Sequence, residues 1–172
     1  LEAADKINTQ IGLTVMGAQT PFQAVKAVQA ILKEPTRERA VSIVRTELGR
    51  TFSTSQLERL RQAAELVPGM RKQWRRSGKI HSRVTHDLID GQAREIEQPF
   101  VVSSKRGPVK LMCPHDPKAP ASETVNCGCT MLPLPPGVDV SEPGRKAFAA
   151  DEIRLNPMKA DLEAAIKKRA GK

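Results

Sequence analysis

From Phe22 to Val67 apolar residues recur at helical spacing, and after Gly69 they fall into short runs of extended character. Thr20-Pro21-Phe22-Gln23 reads as a helix start. Thr20 caps, Pro21 suits the first turn where its missing N–H costs nothing, and Gln23 completes a capping box. Phe22, Val25, Val28 and Leu32 form the apolar stripe of that helix, and Pro35 stops it. A second helix is expected from about Thr36, with Ala40, Val41, Val44, Leu48 and Phe52 on one face. Gly49 weakens it, and Ser53-Thr54-Ser55-Gln56 offers a new cap for a third helix carrying Leu57, Leu60, Ala64 and Val67, closed by Pro68-Gly69. The stretch from Leu1 to about Gly17 is weakly patterned and reads as the tail of a preceding helix.

Beyond Gly69 the pattern predicts a strand over Met70–Arg76 centred on Trp74, a short helix over His81–Ile89, and a turn at Asp90-Gly91. Pro99–Val102 and Val109–Met112 read as strands joined by a Lys105-Arg106-Gly107-Pro108 turn, and Cys129–Leu134 as a last strand. Pro133 to Pro143 is Pro-rich and reads as a linker. A basic amphipathic helix over about Asn156–Arg169 would present Met158, Leu162, Ala165 and Ile166 on one side. No internal repeat occurs. The expected class is α+β: a helical hairpin or three-helix unit, a small mostly antiparallel sheet, a Pro-rich linker and a C-terminal helix.

Composition changes the picture in two ways. Only 3% of the 172 residues are aromatic, so the core must rest on aliphatic side chains and on Met. The net charge of +9 favours encounter with polyanions such as DNA or RNA, without specifying their sequence. No run of about 20 apolar residues is present, so no membrane-spanning helix and no membrane partner is expected. The start, Leu1-Glu2-Ala3-Ala4-Asp5, lacks the basic and then apolar regions of a signal peptide and also lacks Met, so a fragment of a longer protein is one reading. Three cysteines cannot pair off completely, which fits folding under reducing conditions.

The chemistry-bearing residues come in a definite order. Arg45-Thr46-Glu47 lies on the second helix, followed by Trp74, Arg83-Val84-Thr85-His86, Asp90-Gly91 and Phe100. Pro114-His115-Asp116-Pro117 and Asn126-Cys127-Gly128-Cys129 complete the series. This order resembles the Mu F-like head-morphogenesis family of tailed phages, the minor head or minor capsid proteins, over about Ala40 to Leu134. The pattern has two departures: Gly128 stands where the family usually has Arg between the cysteines, and Arg75-Arg76-Ser77-Gly78-Lys79 is basic where an acid is common.

The resemblance implies a helical extension over 1–35, a head-morphogenesis domain over 36–134, and a linker with a basic helix over 135–172. It implies a structural part of a phage or prophage virion, inside the capsid near the portal, present in several copies and made in the host cytoplasm. Portal protein, major capsid protein or scaffold, and genomic DNA bound non-specifically would be the partners. It requires no cofactor, and catalytic turnover is not expected as the main role.

Three groups of residues carry alternatives. Arg83 and His86 share a helical face; with Glu47 they would suit a nuclease or toxin-type domain, His86 moving a proton and Arg83 steadying phosphorane charge. The same trio as a hydrogen-bonded strut, with Arg83 paired to Glu47 and His86 capping a turn, is the favoured reading, because charged clusters more often order a fold. Cys113, His115, Cys127 and Cys129 offer four zinc-type ligands for a zinc-stabilised nucleic-acid-binding module, although Cys-x-Cys is tighter than usual zinc spacing. A Cys113 disulfide or three plain thiols are the alternatives. Arg71, Lys72, Arg75, Arg76 and Lys79 form a basic run suited to phosphate contacts, or to a charged edge strand that resists unwanted pairing.

Overall fold

The computed structural model describes residues 2–104, 106–138 and 147–170, the side chains of 169 and 170 excepted. Lys105 of the expected hairpin turn, positions 139–143 of the Pro-rich stretch and the side chain of Arg169 lie outside the described residues. The fold is α+β, with helices leading into antiparallel strands and closing on helices. The chain forms two compact units: a helical unit of Leu1–Ser55 with His115–Cys127, and a sheet unit of Gln56–Pro114 with Gly128–Lys172. Packing groups discontinuous stretches, whereas the sequence reading drew three consecutive ones.

In the helical unit, α1 (Glu2–Val15), α2 (Pro21–Leu32) and the first part of α3 (Glu38–Leu66) bury Ile11, Ala24, Val25, Val28, Ala40 and Val44 together. Full burial of each such Val is worth about 1.5–3 kcal/mol. The α2 start is as expected: the Gln23 amide donates to Thr20 Oγ1, and the Thr20 amide donates back to Gln23 Oε1. The helix ends at Lys33, in the left-handed region at φ 53°.

The expected break after Gly49 does not occur, and α3 runs unbroken through Ser53. Thr54, one of the residues expected to cap a new helix, and Thr51 before it both bond back onto α3. Thr51 Oγ1 donates to the Glu47 carbonyl at 3.0 Å and Thr54 Oγ1 to the Arg50 carbonyl at 2.8 Å, four residues back. The unit also holds α5 (Ala121–Thr124), beyond which the chain turns at Asn126, φ 55°.

In the sheet unit, β1 (Arg71–Arg75) is the centre of a three-stranded antiparallel sheet. It pairs with β2 (Ala93–Glu95) on one side and β5 (Thr130–Leu134) on the other. Trp74 faces Met131 across the β1–β5 ladder, and Lys72 faces Pro133. Pro133 and Leu134 therefore belong to a strand and not to a linker; an edge strand tolerates a residue without an N–H. β3 (Phe100–Ser104) and β4 (Gly107–Leu111) form a separate hairpin at the expected turn.

The short helix α4 (Val84–Leu88) sits inside the expected span. At the C-terminal end two helices appear, α6 (Ala150–Leu155) and α7 (Met158–Ala170), where one was expected. Asn156-Pro157 separates them, Asn156 Nδ2 reaching the Ile80 carbonyl at 2.9 Å. Met158, expected on the apolar side of the helix, is 68% exposed, while Lys159 is 2% exposed.

Candidate functional site

Trp74 organises the sheet unit. Its side chain is fully buried, with the His86 ring edge-on at 5.2 Å and the Phe100 ring edge-on at 5.3 Å. Edge-to-face ring pairs add about 0.5–1.5 kcal/mol beyond burial. Its backbone is fixed by the Asp90-Gly91 turn: the Trp74 amide donates to the Gln92 carbonyl, and the Gly91 amide donates to the Trp74 carbonyl, both at 2.9 Å. Gly91 has φ 82°, a conformation that explains the residue type. Asp90 Oδ1 accepts the Arg76 amide at 2.8 Å. Four elements of the motif series (Trp74, His86, Asp90-Gly91 and Phe100) thus meet in one core.

His86 is 1% exposed, and its Nδ1 lies 3.6 Å from Cys129 Sγ. The imidazole so enclosed packs its ring against Trp74. Beside it in α4, the buried Asp87 accepts a hydrogen bond from Ser82 Oγ at 2.6 Å. Burial raises the Asp87 pKa above the ordinary carboxylate value, against the lowering effect of Ser82. Arg83 is the extended residue that leads into α4. Glu47 belongs to the helical unit, where both its oxygens lie within 2.9 Å of Arg50 Nη1. Glu47 and the Arg83–His86 pair thus fall in different compact units, and within its own unit Glu47 pairs with Arg50, one turn along α3.

The basic run is divided by the alternation of β1. Lys72 is buried, its Nζ donating to the Met112 carbonyl at 2.8 Å and lying over the Phe100 ring. Arg76 is buried, with Nη1 2.6 Å from Glu152 Oε2, Nη2 donating to the Ala147 carbonyl, and the guanidinium over Phe148. Lys72 and Arg76, expected at the surface against DNA, follow Trp74 into the interior instead. Arg71, Arg75 and Lys79 stay half-buried.

The Arg76 partner, Glu152, also meets Lys159 Nζ at 2.7 Å. Burial alone would raise the Glu152 pKa, but hydrogen bonds from Arg76 and Lys159 outweigh it and hold the carboxyl at about 2. Phe148, Glu152 and Lys159 carried no signal in the sequence beyond an ordinary amphipathic end.

Cys113, Cys127 and Cys129 are buried thiols, with no disulfide among them. Cys113 and Cys129 fall in the sheet unit, and His115 and Cys127 in the helical unit. His115 has φ 59° and packs its ring against Gly49. Asp116, also buried, accepts the Lys118 amide at 2.8 Å, forming a turn that fixes the Pro-flanked loop. The two departures from the family pattern adjoin. A Cβ at Gly128 would come 2.9 Å from Lys79 Cε and 3.0 Å from Ser77 Cβ. The glycine makes room for the basic segment.

In the helical unit the Asn126 amide donates to Thr46 Oγ1 at 3.0 Å, so the two ends of the motif series meet there. Beside that junction a groove of about 460 Å³ is lined by Arg37, Glu38, Val41, Ser42, Arg45 and Asn126.

No family model matches the chain, and no solved structure matches it. A stretch of 110 residues, 61% of the chain, is 33% identical to a protein of Enterococcus faecalis named NAD(+)--arginine ADP-ribosyltransferase EFV. A stretch of 100 residues, 57% of the chain, is 32% identical to an uncharacterized protein of Bacillus subtilis, YqbB. These matches span only 20% and 31% of the two relatives.

Proposed function

We propose that the chain is a structural module of the phage minor-head type, whose motif residues hold a scaffold together instead of lining a catalytic cleft. The observation that carries this reading is the burial of Trp74, His86, Asp90 and Phe100 in one hydrogen-bonded core. Residues with that role would keep their pattern wherever the scaffold is reused. The similarity to a fifth of one longer relative and under a third of another fits a module carried in larger proteins. In this reading the partners are portal and shell proteins, with the genome touched through the remaining surface cations. A zinc ion is not required, although Cys129 and His86 place a thiol beside an imidazole.

The relative's name favours one other reading, a toxin-type enzyme. In it the chain would transfer ADP-ribose from NAD⁺ to arginine or cleave nucleic acid. A single set of experiments separates the two. The purified chain is co-expressed with the portal and shell proteins of its own source and sedimented. It is separately incubated with labelled NAD⁺ plus an arginine acceptor, and with labelled RNA and DNA, beside a His86→Ala control. The structural reading expects co-sedimentation and no product above background. Turnover that His86→Ala abolishes, without co-sedimentation, would replace it with the enzymatic one.

A further inference from the structure

The groove in the helical unit collects two guanidinium groups, of Arg37 and Arg45, that make no ion pair among the described residues. Glu38, Ser42 and Arg45, with Val41 between them, lie on one face of α3 at three- and four-residue spacing. Arg37 joins them from just before the helix, and Asn126 from the loop that the Thr46 hydroxyl pins in place. Among the described residues neither Arg37 nor Arg45 has a carboxylate partner, whereas the other two arginines of this unit, Arg39 and Arg50, each have one. The Arg37 guanidinium is held over the Phe22 ring at 4.8 Å, which steadies its position at the groove. The volume, about 460 Å³, lies within the range of about 300–1,000 Å³ usual for ligand sites.

We propose that this groove binds a short acidic peptide segment of a partner protein. Two guanidinium groups match carboxylates, each able to grip one with paired N–H donors. The remaining lining decides between anions. Glu38 accepts hydrogen bonds only, while Ser42 and Asn126 both donate and accept. A peptide offers N–H donors to Glu38 and carbonyl acceptors to Ser42 and Asn126. A phosphodiester chain offers acceptors alone and meets repulsion at Glu38. Val41 supplies an apolar wall that suits a peptide side chain. This inference does not depend on the phage-head reading, since any partner with an exposed acidic segment would serve.

The test is fluorescence anisotropy of a labelled peptide, acetyl-Gly-Glu-Asp-Glu-Ser-Gly, titrated with the full chain near physiological salt. The double variant R37A/R45A is expected to bind at least tenfold more weakly. K167A/K168A removes the same charge from exposed positions on α7 and is expected to bind within twofold of the parent. Asn126→Asp keeps the shape and the left-handed turn while adding a negative charge, and is expected to weaken binding as well; it serves alone if circular dichroism shows R37A/R45A unfolded. Equal losses from both arginine and lysine pairs overturn the proposal in favour of bulk charge. Displacement of the peptide by a DNA oligonucleotide at lower concentration than by unlabelled peptide overturns it in favour of phosphate. Absence of peptide binding to the parent chain overturns it outright.

Discussion

A Cβ on Gly49 would stand 2.7 Å from His115 Nε2, so this glycine lies inside a long helix to admit an imidazole. Gly49→Ala recovers up to about 1 kcal/mol of helix propensity but forces an overpacking cost of about 1–3 kcal/mol. The expected net effect is a lower thermal midpoint, restored in the double variant with His115→Ala. A second single-residue prediction concerns Glu152, whose carboxyl is held at about 2 against an ordinary 4.5. Its contribution is complete above about pH 4.5 and is lost as pH falls toward 2, because the unfolded chain then binds the proton more readily. Glu152→Gln should flatten that part of the stability–pH curve, and at neutral pH should cost about 3–5 kcal/mol by removing the carboxylate that the buried Arg76 and Lys159 share. Asp87 works in the opposite sense: its raised pKa makes the fold lose stability as pH rises through the carboxylate range. Denaturant melts of Asp87→Asn against the parent, across pH 3 to about 7, separate the two slopes. None of these pairings was legible in the sequence. A charged letter does not disclose a partner some 76 positions away, and only the fold made Arg76 and Glu152 neighbours.

At the scale of elements, β1 shows what alternation settles and what it leaves open. Strand alternation puts Arg71, Gln73 and Arg75 on one face and Lys72, Trp74 and Arg76 on the other. It does not say that the face of Lys72, Trp74 and Arg76 is the inner one, because the tryptophan decides that. If the sheet unit touches DNA, Arg71→Ala and Arg75→Ala should each lower the slope of log affinity against log salt by about 0.9. Lys72→Ala should leave that slope unchanged while destabilising the fold by about 1–3 kcal/mol, since the Met112 carbonyl loses its donor. A salt titration beside a thermal melt distinguishes these outcomes for each variant. Elsewhere the reading succeeded where local chemistry is decisive, as at the Thr20–Gln23 capping box, the Asp90-Gly91 turn and the β3–β4 hairpin. It failed at Gly49 and Ser53, where packing and hydroxyl back-bonding keep α3 whole, and at α6, too short to impose a period.

At the scale of the whole molecule, the order of motif residues was readable but their assignment to compact bodies was not. Arg45, Glu47, His115, Asp116 and Asn126 fall in the helical unit, and Trp74, Arg83, His86, Asp90 and Gly91 in the sheet unit. A linear scan cannot separate them, because the chain enters the helical unit twice. The net charge of +9 was equally ambiguous: part of it, at Lys72, Arg76 and Lys159, is spent inside on carbonyls and on Glu152.

That double entry has a consequence for synthesis. Residues up to Ser55 leave the ribosome first, yet their unit is completed only when His115–Cys127 follows. At about 5–20 residues per second, the roughly 70 residues from Gln56 through Cys127 take on the order of 4–14 s to translate. For that interval the stretch of α3 around Thr46 and Gly49 lacks Asn126 and His115, its later partners, a window in which chaperones have the most to bind.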